Sequence, residues 1–332
     1  MFRNTNKEIN TRIFKSRHIS DEASLLIIFL SLIMIMSIIL PRFRTLHNIL
    51  TVIRQFSLVA IVAMGESVVL ISGGFDLSVG SIAALTGIFS CHLMVTFMWP
   101  IWISVFLGIL LGALCGVFNG VLITKVKINP LIATLASSWI FMGVILITTK
   151  GWPVINMPQK FNFLGQGYFL GIPFPIIIMI VVGVILTIFL SQTIYGRFIY
   201  AIGGNVIASK LSGLNVDRMK IIVFILCDSL AALAGIILCS RMGYAQASNG
   251  ENWPLPAIAA AVIGGVSLSG GKGKIYGVAI GAALLGIISN ILVLLHISSY
   301  WQSLISGFIV IGAVSIDAIR KSREELYKKR RI

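Results

Sequence analysis

IWISVFLGILLGALCGVFNGVL, residues 101–122, contains no charged side chain. Such a run matches the ~20 residues that cross a ~30 Å hydrocarbon layer as a helix. Two further blocks, Ala23–Leu40 and Pro175–Leu190, read the same way. Inside lipid the backbone has to satisfy its own hydrogen bonds, which restricts spanning segments to helices or closed barrels. The dyad alternation that marks barrel strands is absent, so membrane helices are expected.

The composition agrees. Of 332 residues, 57% are hydrophobic and 11% charged, and the mean hydropathy is +0.99. Soluble domains carry about 25% charged residues, and so few charges cannot coat a water-exposed globule of this size. The formal net charge of +15 invites a nucleic-acid partner. Lysine and arginine lie, however, in short segments between apolar blocks and at both tails, as the positive-inside rule requires. Membrane lipid is therefore expected as a partner, and nucleic acid is not. Cys91, Cys115, Cys227 and Cys239 all sit in apolar blocks without metal-ligand or CxxC spacing. They read as small buried hydrophobes, with no metal or redox role. The first apolar block is too long for the core of a cleavable signal peptide and reads as a first spanning helix.

The expected fold is an all-α polytopic membrane protein of about ten transmembrane helices. They lie at roughly 23–40, 49–72, 79–98, 101–122, 131–148, 174–192, 221–240, 255–269, 275–295 and 301–318. With the N-terminus inside, the cytoplasmic segments hold twenty Lys/Arg and the outer ones five. That bias places both termini in the cytoplasm. The organisation is then a cytoplasmic tail (1–22), a transmembrane domain (23–318) with a long inner loop (193–220), and a basic cytoplasmic tail (319–332). The outer connection 149–173, rich in glycine, proline and aromatics, reads as an ordered external loop or short surface helix.

Polar residues inside the spans are the candidates for function. Ile71–Ser81 sets glycines, Asp76 and the hydroxyls of Ser72, Ser78 and Ser81 between apolar stretches. It reads either as a broken segment lining a watery cavity or as a plain cytoplasmic turn with an Asx-type cap. Gly73–Gly80 is echoed by Gly264–Gly271 as GGxxLSxG, as transporters built from repeats often show. Glu66, Asn119, Asp228 and Asn290 are the other intramembrane polar residues. A secondary carrier coupled to H+ or Na+ would use Glu66, Asp76 or Asp228, although none has a basic or histidine partner at helical spacing. Gly108, Gly112 and Gly116, and likewise Gly277 and Gly281, are spaced for close helix packing. Gly270–Lys274 is no phosphate loop, because neither Lys272 nor Lys274 precedes a Ser or Thr. His92 and His296 lack companions, so no catalytic residue is expected.

Val69–Ser81, with GGFDLSVGS at its centre, resembles the signature of the ribose/xylose-type permease subunits of ATP-binding-cassette (ABC) importers, in the branched-chain amino acid/ribose permease superfamily. Ala201-Ile-Gly-Gly-Asn205 followed by Ala208, Ser212-Gly213, Val216 and Lys220 is similar to that family's cytoplasmic loop. Asn129-Pro130 with Thr134-Leu135, and Ala259–Gly271, add two further matches. All occur in family order between about residues 45 and 315. Ala136, where the family often has glycine, and Leu214 in place of isoleucine are departures. The resemblance implies a type II-like importer fold in the bacterial cytoplasmic (inner) membrane. It implies a pore shared with a second permease chain, identical or paralogous. Two ATP-binding subunits on the cytoplasmic side and a secreted sugar-binding protein outside are the further partners. ATP would be used by those partner subunits, leaving no cofactor and no metal in this chain. The substrate would be a monosaccharide or sugar-like solute, with Asp76, Ser78, Asn119 and Thr134 lining its path. Gly203, Gly204, Asn205, Ala208, Ser212 and Gly213 would form the ATPase-coupling loop, with the two glycines turning the chain.

Overall fold

The computed structural model describes residues 21–329. The expected N-terminal tail lies almost wholly outside them, as do the last three residues of the C-terminal one. In chain order the helices are α1 (Asp21–Ile39), α2 (Leu46–Ile71), α3 (Val79–Val95), α4 (Ile101–Thr124), α5 (Pro130–Thr149), the single turn α6 (Phe163–Gln166) and α7 (Phe174–Gln192). They continue as α8 (Ile194–Gly204), α9 (Val206–Leu211), α10 (Val216–Met242), α11 (Pro254–Ile263), α12 (Ile275–Leu294) and α13 (Ser299–Lys329). Among the described residues, α2, α4, α5, α7, α10 and α12 are long and apolar enough to cross a membrane. Four apolar stretches are shorter: Leu25–Ile39, Val79–Val95, Pro254–Ile263 and Tyr300–Gly312.

Several starts follow from capping. Asn129, Thr193, Asn205 and Asn215 each accept a backbone N–H from the first turn of the helix that follows, satisfying a donor that has no intrahelical partner. The stops have equally local causes. Gly243, at φ +74°, ends α10. Gly264 and Gly265 (φ +90°) end α11 at Ile263, so the apolar block expected to continue to 269 is a short helix and then a loop. α10 begins at Val216 rather than 221, because the Asn215 cap recruits a polar first turn.

α2 and α10 form the centre of the bundle. From Ala60 to Ile71 every residue of α2 is buried, as expected for a helix apolar on all sides. α10 packs against α4, α3 and α2, while α12 packs against α2 and α11. The glycine steps set these distances. A Cβ on Gly116 would stand 2.6 Å from the Ile225 Cα, and one on Gly120 2.8 Å from the Ile221 Cα. On α12, a Cβ at Gly277 or Gly281 would overlap the carbonyls of Gly264 and Ala260. Bare backbone thus lets these helices approach closely. α4 shows the opposite on its outer face, where Trp102, Phe106, Leu110, Leu114 and Phe118 recur every four residues and are all exposed. Large apolar residues outside and glycine inside suit a lipid surround.

The segment 149–173 is an ordered cap. It holds α6 and a two-residue hairpin, β1 (Tyr168–Phe169) against β2 (Ile172–Pro173). Ser240 on α10 anchors it: its hydroxyl donates to Phe161 O at 2.6 Å and accepts from Gly165 N at 2.8 Å. The Arg54 guanidinium lies 4.9 Å over the Tyr168 ring, and Gln166 donates to Arg241 O at 2.9 Å.

Candidate functional site

α2 ends at Ile71, and the chain then reverses instead of leaving the bundle. Gly73 turns at φ +80°, a conformation glycine adopts without Cβ strain. Gly74 N–H donates to Val69 O at 3.0 Å. The chain runs back beside the helix it has just left, until Asp76 N–H donates to Glu66 Oε1 at 3.1 Å. Leu77 N–H donates to the Thr134 hydroxyl of α5 at 3.1 Å. Asp76 Oδ1 accepts both the backbone N–H of Ser78 (2.8 Å) and its hydroxyl (2.6 Å). That is the Asx-type turn considered for a surface loop, but here it is buried.

Two other helices close around this break. The Asn119 amide of α4 donates to Ser78 Oγ at 2.8 Å and to Asp228 Oδ2 of α10 at 3.0 Å. The Cys227 thiol donates to Glu66 Oε2 at 3.7 Å. Glu66, Asp76, Ser78, Asn119, Thr134 and Asp228 are all 0% exposed. Glycine makes these short reaches possible: a Cβ on Gly112 would meet Ala232 and the Asp228 carbonyl, and one on Gly65 would stand 3.2 Å from the Cys227 Cα. The network thus pins an irregular backbone segment with side chains from α2, α4, α5 and α10. A hydrogen bond contributes about 0.5–1.5 kcal/mol, and several together fix a segment with no ladder of its own.

The same break is held from its other side. Gly271 N–H donates to Ile71 O at 2.8 Å, so the two GGxxLSxG loops touch. The last turn of α8 is wedged against both. A Cβ on Gly203 would overlap Ile71 O and stand 2.6 Å from Gly271 N, and the Tyr200 hydroxyl donates to Gly273 O at 2.7 Å. Burial pushes the Tyr200 phenol above its ordinary pKa, and the nearby Lys274 charge offsets part of that.

A glycine break between apolar helices, braced by buried acids and touched by a helical loop, resembles the interrupted helices of transporters. The family model for the permease component of branched-chain amino acid transport systems matches residues 48–314. The chain belongs to that family. The permease is 43% identical to a ribose import permease of Bacillus subtilis, over 86% of this chain and 89% of that one. It is 40% identical to a ribose import permease of Escherichia coli, covering 92% and 96%. An L-arabinose permease of Azospirillum brasilense is 36% identical, covering 93% and 91%. No solved structure matches the chain.

In the permease, the four residues expected along a substrate path, Asp76, Ser78, Asn119 and Thr134, belong to one network. Glu66 and Asp228, considered for a cation-coupled carrier, join it. Asn290 stands apart, in a reciprocal amide pair with Asn48 at 3.0 and 2.9 Å between α2 and α12. The loop residues all fall on or beside α8 and α9. Gly203 and Gly204 do not turn the chain, however; they close α8, and the turn falls at Asn205, whose carboxamide caps α9 by accepting Ala208 N–H at 2.9 Å. Ser212 donates to Ala208 O at 3.0 Å, and Gly213 (φ +81°) leaves the helix. Sequence reasoning missed Cys227 and Tyr200. A cysteine in an apolar block gives no sign that its thiol meets a glutamate from another helix.

Proposed function

We propose that this chain is the permease subunit of a bacterial ABC importer for a monosaccharide of the pentose or hexose class. The observation that carries this reading is the near full-length similarity to permeases for ribose and L-arabinose, and also for xylose and D-allose. The chain would supply half of the transmembrane path in the inner membrane, beside an identical or paralogous second permease. ATP would be hydrolysed by two separate subunits, with no nucleotide site or cofactor here. A secreted binding protein would deliver the sugar.

In this reading the six long and four short apolar helices make ten crossings, with both ends cytoplasmic; the twenty-to-five distribution of Lys/Arg supports that orientation. The loop with α8 and α9 then faces the ATPase. α9 suits docking, because Ile207 is 73% and Leu211 85% exposed, two neighbouring apolar side chains offered to a partner on one short helix. The cap at 149–173 faces the binding protein. Asp76, Ser78, Asn119 and Thr134 serve the sugar path by holding the break at its wall.

The test is uptake of a monosaccharide panel by proteoliposomes holding the permease with its ATPase. Sugar entry that needs both ATP and the binding protein is expected. Uptake by the permease alone, driven by ΔpH or a sodium gradient, would overturn the reading in favour of a secondary carrier.

A further inference from the structure

We propose that the buried network is a binding site for one small hard cation, liganded by oxygens of Asp76, Asp228 and Asn119. Each donor in the network is satisfied. The atoms left without partners are Asp76 Oδ2, Asp228 Oδ1 and Asn119 Oδ1. All three are acceptors on residues that are 0% exposed. The amide of Asn119 is not free to turn over, because both its N–H groups are used, one on Ser78 Oγ and one on Asp228 Oδ2. The Asp76 and Asp228 carboxyl groups lie close together, with an oxygen of each within 4.8 Å of one of the other. One ligand atom from each of Asp76, Cys227 and Asp228 fits within a mutual separation of 4.8 Å.

Charge decides what belongs among these oxygens. Glu66, Asp76 and Asp228 bring three carboxyl groups into one interior, and among the described residues no lysine, arginine or histidine takes part in the network. Uncompensated buried charge is strongly destabilising. A water molecule supplies donors but no charge. A proton shared by Asp76 and Asp228 answers two of the orphan oxygens and leaves Asn119 Oδ1 unanswered. A cation held between Asp76 Oδ2 and Asp228 Oδ1 and reached by Asn119 Oδ1 would answer all three. Carboxylate and amide oxygens are hard ligands that favour sodium, magnesium or calcium over softer metals. The Cys227 thiol is already engaged as a donor to Glu66 and stands outside the ligand set. The site is independent of which solute the permease carries.

The experiment uses the purified full-length permease in detergent, exchanged into choline chloride. NaCl, MgCl2 and CaCl2 are titrated separately at constant ionic strength while the unfolding midpoint is followed, and bound metal is measured by elemental analysis. One cation should raise the midpoint in a saturable way and be retained at one ion per chain. Asp228→Asn should weaken its apparent affinity by at least roughly tenfold. Should that variant not fold, retention of radiolabelled sodium or calcium by the wild-type protein, one ion per chain and displaced by the unlabelled ion, gives the answer alone. The proposal is overturned if no cation is retained and the midpoint responds only to pH, since a shared proton then completes the network. It is equally overturned if Asp228→Asn leaves the cation response unchanged, which would put the ion elsewhere.

Discussion

The backbone N–H of Gly271 donates to the carbonyl oxygen of Ile71 at 2.8 Å. This single bond joins two glycine loops that follow α2 and α11, and it lies against the α8 turn that would face the ATPase. A shift of α8 would therefore press on the last residue of α2, which leads into the buried break.

Gly203→Ala tests that contact. The added Cβ has to displace the Ile71 carbonyl, and overpacking of this kind costs about 1–3 kcal/mol. A lower unfolding midpoint and impaired ATP-driven uptake are expected, with membrane insertion preserved. Gly204, whose Cβ would meet nothing within 4 Å, is the stability control: Gly204→Ala should change the unfolding free energy by no more than about 0.5 kcal/mol.

Asp76→Ala removes the acceptor of two hydrogen bonds and strands the Ser78 N–H and hydroxyl in the interior. Each buried orphan costs about 1–3 kcal/mol. Transport should fall sharply while the protein still inserts. Normal uptake at normal expression would remove this carboxylate from any transport role.

Ser240→Ala cuts the two bonds that tie the cap to α10. Faster amide exchange across 159–166 is expected, with little change in the exchange of α2. If the cap receives the binding protein, uptake should weaken at limiting binding-protein concentration and recover when it is in excess.

Ile207→Asp and Leu211→Asp alter exposed side chains with no packing role in the protomer. Their unfolding free energies should stay within about 0.5 kcal/mol of wild type, while co-purification of the ATPase is lost. Full co-purification of the double variant would exclude α9 from that interface.

Much of this was legible in the sequence, and the rest was hidden for a physical reason. Uninterrupted apolar runs located the helices, because a lipid-facing helix needs no charged face to reveal its period. The glycine steps on α4 announced close packing, which Gly112 and Gly116 make with α10 and Gly108 with both α3 and α10. What the sequence could not give was convergence. Glu66, Asp76, Asn119 and Asp228 each stood out as polar residues in apolar surroundings. Nothing in their spacing indicated that a reversal at Gly73 would carry Asp76 back to Glu66, or that α4 and α10 would bring Asn119 and Asp228 to the same point. The turn was misplaced at Gly203-Gly204 because paired glycines usually mark bends. Here the bare Gly203 serves close approach, and Asn205 makes the bend.

α10 has a further mechanical consequence. Its 27 residues make a rod about 40 Å long. One end adjoins α9, the other carries the Ser240 anchor, and Asp228 sits near the midpoint. A rod that pivoted at its middle would act as a lever. Tilting it by ~10° about Asp228 would swing each tip by roughly 3–4 Å in opposite directions, taking ~1.5 Å of rise per residue. Opening at one face of the bundle and closing at the other would then be a single motion, with the acid-rich centre as its fulcrum.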